Sequence, residues 1–84
     1  MIARSSVTFE QLQHLLLEVG FTCCKRESAW VFTHPPSGAV LTYRLYRPRE
    51  RVTLKDMQVT RQDLDWHALM TLEAFDDRLH RAIA

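Results

Sequence analysis

The residues of this chain that could take part in chemistry fall into three groups, and the first two are poorly arranged for it. The histidines stand at positions 14, 34, 67 and 80, and no two have the i, i+3 or i, i+4 spacing that sets two ligands on one helical face. A zinc site built from Cys23, Cys24 and one histidine would need adjacent residues of an extended segment to converge, although such neighbours point to opposite faces. The same alternation leaves the two thiols badly placed to pair with each other. One or both therefore read as plain core residues, and neither a metal nor a cofactor is expected. Nucleophiles form the second group. Ser28, Ser37 and the cysteines lack a neighbouring oriented base, Asp76 and Asp77 read as solvated residues near a helix terminus, and the two glycines, at 20 and 38, cannot build a phosphate-cradling loop.

The third group is basic. Residues 25–61 hold Lys25, Arg26, Arg44, Arg47, Arg49, Arg51, Lys55 and Arg61 against Glu27, Glu50 and Asp56, eight cations against three carboxylates, which gives +5. The rest of the chain carries −4, so the net +1 conceals a basic middle and an acidic tail. Arg44 and Tyr46 are expected on the wet face of a strand, with Arg47, Arg49, Arg51 and Lys55 continuing through a loop into the next helix. Such a row can neutralise successive phosphates of a nucleic-acid backbone. The competing reading is a solvated loop, paired in part with the acidic tail.

These side chains need elements to position them. Eighty-four residues, 46% of them hydrophobic and 25% charged, suit one folded domain over 1–84 with a single core. Apolar runs such as Leu15-Leu16-Leu17 are far short of a membrane span, so a soluble, cytoplasmic protein is expected. Phe9, Leu12, Leu15, Leu16 and Val19 form one apolar stripe at helical spacing, which predicts a helix over 9–19. Thr8 with Gln11 has the form of a capping box, and Gly20 is placed to end the helix in a left-handed conformation.

From Phe21 the period becomes two, and strands are expected at 21–25, 29–34 and 40–46. Trp30 and Phe32 share a face of the second; in the third, Leu41, Tyr43 and Leu45 oppose Thr42, Arg44 and Tyr46. Pro35-Pro36-Ser37-Gly38 is a turn that makes the last two strands antiparallel. After the loop of residues 47–51, Thr53 caps a second helix, with Asp56 at its third position. Leu54, Met57 and Leu64 give that helix a weak stripe, because Thr60 and Arg61 fall where apolar residues would be expected. A break near residues 65–70 and a final helix capped by Thr71, with Leu72, Phe75, Leu79 and Ala82/Ile83 as its stripe, complete the order α-β-β-β-α-α.

A helix ending in Gly-Phe, a hairpin carrying Phe32-Thr33-His34-Pro35 and a third strand leading into a basic loop resemble the HicA (YcfA-like) family of small bacterial toxins. Val52 to Met57, Leu64-Asp65 and Leu72 to Leu79 are similar to longer members with a closing helix, and the likeness covers about residues 8–80. It implies an α+β fold like the double-stranded-RNA-binding domain, α-β-β-β-α, with a three-stranded antiparallel sheet and a short extra C-terminal helix. It also implies cleavage of mRNA as an interferase and a HicB-type antitoxin as partner; no direct DNA contact is expected. The family's catalytic histidine lies in a Gly-Ser-His motif before the second strand, and the matching positions here read Glu27-Ser28-Ala29.

An alanine methyl cannot carry a proton, and general acid–base catalysis is worth roughly two to four powers of ten. Glu27 adds bulk and like charge where glycine would admit an RNA backbone. The leading expectation is thus a HicA-like protein with an RNA-binding fold that is catalytically impaired and binds RNA or a partner protein through Arg44, Arg47, Arg49, Arg51 and Lys55. One alternative is an active interferase that uses His34 as a relocated catalytic residue and is neutralised by the antitoxin. Another is a pure protein-interaction module that docks a partner strand on the sheet's open face or edge.

Overall fold

The capping signal at Thr8 is realised in full. In the computed structural model, which describes the backbone of residues 3–83 and the side chains up to Arg81, Gln11 N donates to Thr8 Oγ1 (3.3 Å) and Thr8 N to Gln11 Oε1 (2.9 Å). The elements are β1 (Arg4–Thr8), α1 (Phe9–Val19), β2 (Thr22–Lys25), β3 (Trp30–His34), β4 (Ala39–Tyr43), β5 (Arg51–Thr53), α2 (Leu54–Trp66) and α3 (Leu72–Ile83). Gly20 leaves α1 at φ +115°, its N–H donating to the carbonyls of Leu16 and Leu17. The expected stripe residues Ala82 and Ile83 lie outside the described side chains.

Strands β2, β3 and β4 form an antiparallel sheet in that order. Its register aligns Thr22, Thr33 and Val40 in one row and Lys25, Trp30 and Tyr43 in another. Phe32, Leu41 and Tyr43 point to the covered face and are buried, whereas Val40 and Thr42 on the other face are exposed. Against the covered face α1 lays Phe9, whose ring centroid lies within 5.4–6.1 Å of those of Trp30, Phe32, Tyr43 and Tyr46. Edge-to-face and offset contacts of this kind add to the burial of each ring.

The expected order lacked two strands. β1 pairs antiparallel with β5, Arg4 opposite Thr53 and Thr8 opposite Arg51, with an irregularity between. Only Val7 of β1 enters the core, so Arg-Ser-Ser-Val-Thr gives no alternation to read, and three residues of β5 are lost in a charged stretch. The third strand of the sheet also ends earlier than expected. Beyond Tyr43 a tight turn forms, with Tyr46 N donating to Arg44 O at 2.7 Å, and the turn reverses the facing of Leu45 and Tyr46. Tyr46 is buried and Leu45 is 41% exposed, the opposite of the expected assignment.

Helix α2 starts at Thr53, whose Oγ1 accepts from Asp56 N (3.2 Å), and it buries Met57, Thr60 and Leu64. Thr60, the apparent flaw in its stripe, is fully buried because its hydroxyl is satisfied: it donates to Asp56 O (2.8 Å) and accepts from Tyr43. Burial pushes the Tyr43 phenol well above its ordinary pKa. The break after Trp66 is present, with Ala68 at φ +56°, and Thr71 Oγ1 then caps α3 through Ala74 N (3.1 Å). At 12 residues α3 is not a short appendage. It packs Phe75 and Leu79 into the core and against α1 and α2, tied by Arg61 to Asp76 (2.9 and 3.0 Å) and by Arg78 to Glu18.

Candidate phosphate-binding face

The basic loop is held by the start of α1. A helix begins with amides that have no partner inside it, and here Phe9 N donates to Glu50 O and Glu10 N to Pro48 O, both at 2.9 Å. Within the loop Glu50 N donates to Arg47 O (3.0 Å), and Glu50 Oε1 accepts from Arg47 N (3.1 Å). Tyr46 fixes the other side. Its ring stacks on Phe9 at 5.4 Å and its hydroxyl donates to Asp56 Oδ2 (2.6 Å) and accepts from Thr53 N (3.2 Å). Trp30 Nε1 donates to Tyr46 O at 3.3 Å.

On this frame Arg47, Arg49, Arg51 and Lys55 are exposed, and among the described residues none of them forms an ion pair. Arg44 is exposed as expected, but unlike those four it is ion-paired, and Tyr46 beside it is buried. Its guanidinium lies 4.6 Å from the centre of the Tyr46 ring and is paired with Glu50, which also receives Arg4 at 3.1 Å. The Arg47 backbone N–H, with Arg44 and Arg4 adding to it, holds the Glu50 carboxyl below the ordinary glutamate range. Elsewhere the acidic tail neutralises Arg61 through Asp76.

The register brings further cations to the same end of the sheet. Lys25 shares the row of Trp30 and Tyr43, with its Nζ 5.6 Å over the Trp30 ring, and Arg26 N donates to Ala29 O (2.8 Å) across the β2–β3 turn. Lys25, Arg26 and Arg4 were not among the expected site residues. Antiparallel pairing of β2 with β3 was enough to place the first two, whereas Arg4 depends on the unread β1–β5 pair. The Glu27-Ser28-Ala29 turn thus stands at the loop end of the sheet.

His34 stands at the other end. It is opposite Ala39, and the strand from Ala39 to Tyr43 spans about 13 Å. The ring is 9% exposed, packs on Phe21 at 5.3 Å, and is hydrogen-bonded from Nδ1 to Ser37 Oγ at 2.8 Å inside the hairpin turn. The fold therefore does not bring His34 and the basic loop together. Cys23 is half-buried and Cys24 exposed, both unpaired; desolvation, then Cys24, raises the Cys23 thiol above its ordinary pKa. Among the described residues no three His, Cys, Asp or Glu side chains converge as a metal site would require, and no helix is long and apolar enough to cross a membrane.

The chain matches no protein-family model, no curated protein and no solved structure. The functional reading accordingly rests on the geometry of the loop.

Proposed function

We propose that this is a HicA-like protein with a core of the double-stranded-RNA-binding type, α1-β2-β3-β4-α2, that binds RNA without cutting it and is matched to a HicB-type antitoxin. The observation that carries the reading is the set Arg47 and Arg49 on a loop bonded to the first turn of α1, Arg51 at the start of β5 and Lys55 in the first turn of α2, all exposed and without an ion pair among the described residues. A fixed backbone loses little conformational freedom on docking, which favours binding by charges that are individually weak. Ala29 at the position of the family's catalytic histidine supports binding over catalysis. His34, buried against Phe21 and bonded to Ser37, gives the interferase alternative no matching support.

The test is fluorescence anisotropy with a labelled single-stranded RNA at rising salt. Four phosphate contacts predict a slope near −3 in log K against log salt, taking about −0.7 for each. Replacing Arg47→Glu and Arg49→Glu together should weaken binding at least about tenfold at low salt. Affinity unmoved by both salt and charge reversal would remove RNA binding from this loop. Cutting of the oligonucleotide that His34→Ala abolishes would replace the reading with an interferase.

A further inference from the structure

The Glu50 carboxylate is received by donors from three places in the chain. Arg4 Nη1 lies 3.1 Å from Oε2, Arg44 Nη2 is paired with the same oxygen, and the Arg47 backbone N–H donates to Oε1 at 3.1 Å. Two guanidinium groups and a main-chain amide around one oxyanion is the environment in which phosphate groups are bound. Both guanidinium groups have a second anchor besides the carboxylate. Arg44 lies against the Tyr46 ring, and Arg4 Nη1 also donates to Arg51 O at 2.7 Å. With the carboxylate withdrawn, both would remain facing the space it leaves.

Withdrawal requires little of the backbone. The main chain of Glu50 is held by its own N–H to Arg47 O and by its carbonyl to Phe9 N, and neither bond involves the side chain. The side chain is 28% exposed, as is roughly a third to a half of each arginine partner. Ion pairs open to solvent in this way are weak enough to exchange.

We propose that Glu50 is a tethered competitor in an anion site made by Arg4, Arg44 and the Arg47 amide, and that a backbone phosphate of RNA displaces it when RNA docks on the loop. The inference rests on the RNA-binding reading above and deepens it by adding one phosphate position and a restraint on affinity. Exchange of one singly charged oxyanion for another leaves the charge of the site unchanged, while the phosphate arrives with the contacts that its neighbours make to Arg47 and Arg49.

RNA binding of Glu50→Gln decides the matter when set beside Glu27→Gln, which removes an exposed carboxylate at the same end of the sheet. Glu50→Gln should bind about five- to tenfold tighter than the unmodified protein and Glu27→Gln less than about twofold tighter. Adding Arg4→Met and Arg44→Met should abolish the gain of Glu50→Gln. Equal gains from the two carboxylate variants, or a gain that survives loss of both arginines, would overturn the proposal. A second measurement separates it from the RNA reading: the Arg47 amide resonance of 15N-labelled Glu50→Gln, titrated with inorganic phosphate. A saturable shift that disappears with Arg4→Met and Arg44→Met is expected even if no RNA binds at all, and its absence would dismiss the site.

Discussion

Gly20 ends α1 at φ +115°, and a β-carbon there would stand 3.3 Å from His34 Nε2. A left-handed conformation costs an L-residue about 1–2 kcal/mol, and here the added methyl also presses on a ring fixed by Ser37 and Phe21. Gly20→Ala should therefore lose about 2 kcal/mol in denaturant unfolding. Gly38→Ala, at φ +76° with nothing within 4 Å, should lose less; equal losses would show that the His34 contact contributes nothing. Residues whose role is local were legible in the sequence: Thr8, Gly20, Thr53 and Thr71 all cap where their spacing says they should. Arg44 was not, because its freedom depends on Glu50 six residues on, beyond a turn, and on the company of Arg4 from the far end of the chain. Charge type is written in a sequence, but charge pairing across a fold is not.

The loop between β4 and β5 is an element without secondary structure of its own, made rigid by its neighbours. Tyr46 joins it to α2 through Asp56 and Thr53, and α1 joins it through Phe9 and Glu10. Tyr46→Phe keeps the ring on Phe9 but leaves the half-buried Asp56 carboxylate and the buried Thr53 amide short of a partner, a loss of about 1–3 kcal/mol. Unfolding experiments should show that loss, and RNA affinity should fall less than with Arg47→Glu and Arg49→Glu, because every cation remains; a fall as large would assign Tyr46 a direct contact. Elements with strong periodicity were legible, α1 to its end residues and β2 to β4 within a few. β1 and β5 were not, since their stability comes from pairing between segments far apart in the chain, Arg4 with Thr53 and Thr8 with Arg51, and only Val7 and Val52 signal burial beside the capping Thr53. The inversion at Leu45 and Tyr46 has the same origin: alternation predicts facing only while the strand continues, and a single tight turn resets it.

Across the whole molecule the acidic tail folds back on the helical side, where Asp76 holds Arg61 and Glu18 holds Arg78, and leaves the loop end of the sheet basic. This separation explains how a chain of net charge +1 can present a basic face. It also fixes a pH dependence. Because the Glu50 carboxyl lies below the ordinary range in the folded chain, its contribution to stability is complete above the unfolded-state pKa and is lost as pH falls through the lowered value. Thermal unfolding of the unmodified protein and Glu50→Gln should differ most at neutral pH and converge as the pH falls below the lowered Glu50 value; a constant difference would mean that the carboxylate's charge is irrelevant. The two tryptophans divide along the same axis. Trp66 is 84% exposed at the end of α2, whereas the Trp30 indole is hydrogen-bonded to the main chain of the basic loop. With Trp66→Phe, the emission of a single indole would report occupancy and movement of that loop, and the protein would carry its own optical sensor for whatever ligand it takes.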